Sequence, residues 1–204
     1  MPRAKVQRKS TAIDMTAMCD VSFLLLTFFI LTATARQPDP LNIMIPSSTY
    51  KIKVPDKDIG ILSIGQGKVF YEIVGQDIKE NTLLKMGQEY KISFTPDEVK
   101  RFKVLGSFGV PIESLKQFIA MDAEKREAFA KQSNGIPADS TNNQLAQWIM
   151  QNRKAVAEVH NEALRISIKG DAEEEYPTVK KIVDILQKQK INKFSLITSA
   201  EGGE

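Results

Sequence analysis

The sequence predicts a single-pass amino-terminal transmembrane α-helix followed by an α+β domain with a small mixed sheet and a carboxyl-terminal βαβ unit. Three observations support this fold class. Residues 15–35 form an apolar run long enough to cross a bilayer. A glycine-rich hairpin follows near residue 65, and a strand–helix–strand pattern occupies residues 163–199. We therefore divide the chain into a cytoplasmic basic tail (1–13), a transmembrane helix (14–35), an extended periplasmic tether (36–58) and a periplasmic α+β domain (59–204).

Positive charge is concentrated at the amino terminus. The chain has 204 residues and a formal net charge of +3. The first fourteen residues carry that whole excess, because four bases there oppose one acid: Arg3, Lys5, Arg8 and Lys9 against Asp14. Bases and acids are equal in number over the remainder. A balanced body argues against a general nucleic-acid-binding surface.

The residues needed for disulfide, metal or catalytic chemistry are scarce. Cys19 is the single cysteine, so no intrachain disulfide can form. With one cysteine and one histidine, His160, the chain lacks the spacing of a zinc site. It also lacks the GxxxxGK, HExxH and CxxC patterns and a nucleophile elbow. We therefore predict a protein that is not an enzyme and that uses no cofactor and no metal.

The apolar run is predicted to span the membrane once. At about 1.5 Å per residue, roughly 20 residues cross a bilayer core of about 30 Å. Arg36, Pro38 and Pro40 end the helix, since proline cannot continue it. Lysine and arginine favour the cytoplasmic side of a membrane. The basic tail therefore predicts a cytoplasmic amino terminus and a large domain on the other side of the membrane.

Two alternatives of other classes stay open for this segment. Ala33 and Ala35 suit signal peptidase, and cleavage there would release a periplasmic binding protein. Asp14 and Asp20 make the leading segment long and acidic, which favours a retained span. A structural, pseudopilin-like subunit needs a processing site before its helix, and no Gly-Phe junction precedes this run.

Asp20 interrupts the run six residues from its start. At 100° per residue, Thr16, Thr27 and Thr34 all lie within about 40° of Asp20 on a helix. These four residues define a narrow polar stripe. Ser22 and Thr32 lie off the stripe, where their hydroxyls can donate to the carbonyl four residues earlier.

A carboxylate in hydrocarbon is costly, which argues that Asp20 has a function. Aspartate is short and reaches the headgroups poorly compared with lysine or arginine. Intramembrane acids usually face a bundle interior or a water-filled path, and low dielectric disfavours the charged form of a carboxyl. We therefore predict that Asp20 takes up and releases protons along a path completed by another protein. The stripe alternatively packs helices together, and both interpretations require a partner helix.

Extended structure is predicted directly after the membrane. The tether contains four prolines and one short strand candidate at 41–45. The clearest hairpin joins residues 61–64 and 68–74 through a three-residue loop of Gly65, Gln66 and Gly67.

The middle of the chain is predicted to be helical. Thr95 is a candidate N-cap with Pro96 at the first helical position. A second helix covers 110–121 and is expected to continue through the polar residues 122–132. After a loop at 133–140, a third helix starts at Thr141. In that helix, Trp148 is predicted to pack in the core and His160 to lie on the surface.

A βαβ unit closes the chain. Residues 163–169 form a strand, 176–189 a helix and 193–199 a second strand, and the two strands should be parallel neighbours. The loop between the first strand and the helix holds three consecutive glutamates and is predicted to be a solvated turn.

Two motifs resemble the ExbD/TolR family. "IDMTAMCDVSFLLLTFFI" is similar to that family's amino-terminal motif, Ile-Asn-x-Thr-Pro-x-x-Asp-Val before an apolar run, although Asp14 and Ala17 replace Asn and Pro. Towards the carboxyl end, the strand, an Asp…Tyr motif, a helix and a final strand resemble the family again. Relative to the shortest members, 78–160 looks like an insertion. The matching positions are Ile13, Thr16, Asp20, Val21, Asp171, Tyr176 and Val179.

The resemblance implies an ExbD-like subunit of an inner-membrane motor. Two copies of its helix would sit inside a pentameric ring of ExbB-like subunits, with Asp20 carrying the translocated protons. The periplasmic domain would form a homodimer and pass motion to a TonB-like partner, which drives transport across the outer membrane. The TolR branch, which maintains envelope integrity through a TolA-like partner, stays open.

Overall fold

The protein folds as two separate units. The computed structural model describes residues 15–32, 47–48, 57–139, 142–171, 174–197 and 199–200. Residues 1–37 form one compact unit and residues 38–204 the other. An apolar helix in the first unit, and helices around a small mixed sheet in the second, confirm the predicted fold class.

The first unit contains helix α1, Met15–Thr32. Its 18 residues have a mean hydropathy of 1.9, which meets the length and composition needed to cross a membrane. None of them is buried within the described chain. Their apolar side chains are therefore available to lipid or to other helices. Residues 33–35, which include Thr34, lie outside the described residues.

The second unit is built on a four-stranded sheet with the order β3–β2–β4–β5. Strand β2 pairs antiparallel with β3 and parallel with β4, and β4 pairs parallel with β5. A separate parallel pair joins β1 to β6. The strands are β1 (Ser47–Ser48), β2 (Ile59–Gly65), β3 (Lys68–Ile73), β4 (Arg165–Gly170), β5 (Phe194–Leu196) and β6 (Ser199–Ala200).

Six helices complete the second unit in the described ranges. The last, α7 (Tyr176–Lys188), crosses from β4 to β5, and these two strands are parallel neighbours, so the predicted βαβ unit is confirmed. The helices are α2 (Gln76–Tyr90), α3 (Pro96–Lys103), α4 (Ile112–Ala120), α5 (Ala123–Gln132), α6 (Gln144–Val159) and α7 (Tyr176–Lys188).

The β2–β3 hairpin has a shorter turn than the sequence suggested. Gly65 pairs with Lys68, so the loop has two residues and the predicted three-residue loop is wrong. Gln66 and Gly67 both have positive φ, 55° and 70°. Positive φ at both central residues is the requirement of the type I′ turn, whose twist matches that of the flanking strands.

Local signals place some helix ends correctly and others wrongly. At α3 the Thr95 hydroxyl accepts from the Glu98 backbone N–H while the Glu98 carboxylate accepts from the Thr95 N–H, which confirms the predicted cap. The predicted continuous helix to residue 132 is broken at Met121, whose ψ of 154° is extended. Helix α6 begins at Gln144 rather than Thr141, because the Asn143 side chain caps it by accepting from the Ala146 N–H. The candidate strand at 41–45 lies outside the described residues.

The core joins the helices to the sheet. Trp148 of α6 is fully buried, as predicted, and its ring centroid lies 4.8 Å from that of Phe108. Tyr71 of β3 is also fully buried and receives a hydrogen bond from the Asn152 side chain at 2.6 Å. Residues between 78 and 160 therefore share one core with the sheet.

Candidate functional site

The candidate site in the first unit is the carboxylate of Asp20. Asp20 is the one charged residue of α1 and lies on its exposed surface. Its side chain has no hydrogen-bond or ion-pair partner in the part of the chain that the structure describes. A carboxylate on an apolar helix of this length depends on other molecules for its polar contacts.

The hydroxyls of α1 divide into two groups. Ser22 donates to the Met18 carbonyl at 2.9 Å and Thr32 to the Phe28 carbonyl at 2.7 Å, which confirms the expected intrahelical bonds. On the stripe, Thr27 donates to the Leu24 carbonyl at 2.9 Å.

Helical geometry over Met15–Thr32 keeps Thr16 and Thr27 on the same face as Asp20. The hydroxyl oxygen of Thr27 still has lone pairs with which to accept a hydrogen bond from a neighbour. The fourth residue of the predicted stripe, Thr34, is not among the described residues.

The carboxyl-terminal motif lies beside the β2–β3 turn. The Asp171 N–H donates to the Ile64 carbonyl at 2.9 Å, so the loop leaves β4 in contact with the end of β2. The Gly67 N–H donates to the Glu174 carboxylate, with distances of 3.1 and 3.2 Å to its two oxygens. The loop predicted to be a solvated acidic turn thus also caps the hairpin.

The other two motif residues lie at the start of α7. Tyr176 is its first residue and is 74% exposed, so its ring contributes little to the core. Val179 is half-buried. The structure therefore places Asp171 and Val179 at half-buried positions and Tyr176 at an exposed one, along one loop and helix start.

A charged cluster that the sequence did not reveal lies at the start of β2. His160, at the end of α6, directs its two ring nitrogens at two carboxylates. Nδ1 contacts Asp58, the residue before β2, and Nε2 lies 2.9 Å from Asp77 Oδ2 in the first turn of α2. The two carboxylates lie on opposite edges of the ring, so the three side chains do not converge on one point as metal ligands do.

This arrangement favours the imidazolium form of His160. Both ring nitrogens are donors in that form, whereas neutral imidazole has one donor. The hydrogen bond with Asp58 raises the pKa of His160, and the bond with Asp77 adds to the effect. For Asp77, burial opposes ionisation, but hydrogen bonds from the Ile78 N–H and from His160 lower its pKa overall.

No local sequence pattern predicted this cluster. In the sequence, His160 lies 102 positions from Asp58 and 83 positions from Asp77. The prediction that His160 lies on the surface is consistent with its exposure. What the sequence lacked was any signal that two distant carboxylates would meet the ring.

One apolar helix of spanning length, followed by a separate α+β unit, is the architecture of a single-pass membrane protein. The particular kind follows from a comparison with protein families. The model described as Biopolymer transport protein ExbD/TolR matches residues 7–201, nearly the whole sequence, and the chain belongs to this ExbD/TolR family. Searches of curated proteins and of solved structures found no match.

Proposed function

We propose that the protein is an ExbD-like subunit of an inner-membrane motor, which couples the proton motive force to TonB-dependent transport across the outer membrane. Asp20 carries the protons in this proposal. The observation that supports it is one carboxylate on the threonine-bearing face of an apolar helix. Family membership supports the broader role in biopolymer transport. The protein transduces energy without a cofactor and without catalysing bond chemistry.

The proposed arrangement follows from α1 being a single helix. One helix cannot enclose a proton path, so the path requires partner helices, which an ExbB-like pentameric ring would supply. Two copies of α1 would occupy the ring. The amino terminus lies in the cytoplasm because the tail is basic. The periplasmic domain, as a homodimer, contacts a TonB-like partner.

Proton movement supplies enough energy to bias such a device. One proton crossing about 100 mV releases about 2.3 kcal/mol. That exceeds thermal energy and favours one of two helix arrangements. In the protonated state Asp20 passes apolar surface at lower cost than in the charged state.

The test replaces Asp20 in cells whose sole copy of the protein is the variant. We expect Asp20→Asn to assemble with its membrane partners and to lose proton-dependent uptake. Thr27→Ala should reduce uptake less, because a hydroxyl only supports the path. Ser22→Ala, off the stripe, is the matched control and should transport normally. Normal uptake by Asp20→Asn at normal expression would refute the proposal.

The partner that co-purifies with the protein distinguishes the TolR-like branch from the ExbD-like one. Purification of the full chain from gently solubilised membranes should recover an ExbB-like ring protein together with a TonB-like protein. Recovery of a TolA-like protein would assign the TolR branch. Recovery of a mature chain beginning near Arg36 would show a cleaved signal peptide and remove the motor function altogether.

A further inference from the structure

A groove of about 790 Å³ opens on the second unit, away from the motif residues. It lies between α6, the segment that leads into β4, and the turn between α7 and β5. Helix α6 supplies Met150, Arg153, Lys154 and Ala157. This spacing of three, one and three residues puts all four on one helix face.

The wall opposite α6 is held in place by hydrogen bonds. Arg153 Nη1 donates to the Gln189 carbonyl at 2.9 Å. The Gln189 side chain returns a bond to the Ala146 carbonyl at 2.7 Å. Beyond it, the Ile191 N–H donates to the Leu186 carbonyl at 2.9 Å, which closes the end of α7. These bonds hold the end of α7 against α6.

The rim of the groove is positively charged. Arg153, Lys154, Lys190 and Lys193 line it together with one acid, Glu162, so it carries a net charge of +3. All five are exposed. Within the described ranges, none of the four cations forms an ion pair with an acid. In a chain body with no net charge, this is a local excess that favours an anionic partner.

The floor of the groove is apolar. Met150, Ala157, Leu164 and Ile191 line it, and Leu164 and Ile191 pack against the hydrophobic core. A volume of this size lies in the range of small-molecule and short-peptide sites. A single ligand in the groove can therefore contact both the apolar floor and the cationic rim.

These features fit a peptide better than a small anion. Compact anions bind where backbone N–H groups or a helix amino terminus converge on one point. The part of α6 that lines the groove lies near the carboxyl-terminal end of the helix, which carries partial negative charge. The lysines are flexible point charges spread along the rim. An apolar floor adds nothing to the binding of a bare phosphate.

We infer that this groove binds an extended segment of a partner protein in which acidic and apolar residues alternate. The apolar side chains lie on the floor between Ala157 and Ile191. The carboxylates meet Lys154, Lys190 and Lys193 at the rim. The inference concerns a surface separate from Asp20 and does not depend on proton transport.

The test measures the binding of a short fluorescein-labelled peptide, alternating Glu with Leu or Val, to the full chain in non-ionic detergent. We expect saturable binding that weakens as the salt concentration rises. Lys190→Glu/Lys193→Glu should weaken it by about tenfold or more, since like charges then face the peptide. The control Lys125→Glu/Lys180→Glu makes the same change in net charge on α5 and α7, and should bind as the wild type does. Unchanged Trp148 emission verifies that each variant is folded.

Peptide and competitor variants separate the alternatives. A peptide with Gln for Glu should bind more weakly, and so should one with Gly for Leu and Val. The inference is overturned by absent binding, by equal binding of the groove and control variants, or by equal binding of the Gln or Gly peptide. Displacement by inorganic phosphate at constant ionic strength would assign the groove to small anions instead. Displacement by glycerol phosphate alone would assign it to a lipid headgroup.

Discussion

Removal of the Tyr71 hydroxyl should destabilise the domain by about 1–3 kcal/mol, the usual cost of an unsatisfied buried polar group. Tyr71 and Asn152 are both fully buried. Asn152 Nδ2 donates to the Tyr71 hydroxyl at 2.6 Å, and among the described residues Asn152 Oδ1 has no partner. Tyr71→Phe therefore leaves the whole amide without a hydrogen bond. Burial raises the pKa of Tyr71, so the hydroxyl stays protonated at every pH of the assay.

The chain carries its own reporter for this measurement. Trp148 is the single tryptophan, and it is fully buried beside Phe108. Its emission follows urea unfolding of the full chain in detergent, and the midpoint and slope give the free energy of unfolding. Tyr176→Phe is the matched control. It removes the same atom from a residue that is 74% exposed, and should stay within about 0.5 kcal/mol of wild type.

A second substitution tests the cause. Asn152→Leu in the Tyr71→Phe background replaces both polar partners with apolar groups, a change that is often nearly neutral. The double variant should therefore be more stable than the sum of the two single losses predicts. An unchanged midpoint for Tyr71→Phe, or strictly additive losses, would refute the view that this pair joins β3 to α6.

Two other predictions concern pH and helix capping. The pKa of His160 is raised in the folded state. The stabilisation that its hydrogen bonds give the fold is therefore complete below the pKa of the unfolded state, about 6.5, and is lost as pH rises through the pKa of the folded state. The urea midpoint should accordingly fall as pH increases above about 6.5, and His160→Gln should flatten that profile; an identical slope in the variant would contradict the prediction. Thr95→Ala removes the α3 cap and should cost about 1 kcal/mol. Hydrogen exchange should then increase first in α3, and unchanged exchange there would count against the capping box.

Features written in a few neighbouring residues were predictable. Thr95 followed by Pro96 predicted the cap of α3, and the glycines Gly65 and Gly67 predicted the hairpin. A helix between two strand patterns predicted that β4 and β5 are parallel neighbours, as they are. The turn length was missed because Gly65 belongs to β2 rather than to the loop. Glycine is common in turns, and only the pairing with Lys68 decides the register.

Features that depend on distant residues were not predictable. Helix α2 is polar over most of its length, and it packs in the domain through a few buried residues such as Ile78 and Leu83. The His160 cluster and the basic groove each assemble from three chain segments. Asp20 is the opposite case, because one acid in an apolar run is visible in the sequence alone. The proton path proposed for it requires helices of other chains, which the sequence of one chain does not contain.

The position of β2 has a mechanical consequence. The chain joins the four-stranded sheet directly after Asp58, as β2, and β2 is bonded on one side to β3 and on the other to β4. Tension that is transmitted past the β1–β6 pair therefore pulls lengthwise on a strand held at both edges. Because ladder bonds run across the strands, such a pull loads many of them in shear simultaneously. A terminal strand at the rim of the sheet would instead unzip bond by bond, so this topology suits a domain that has to bear load.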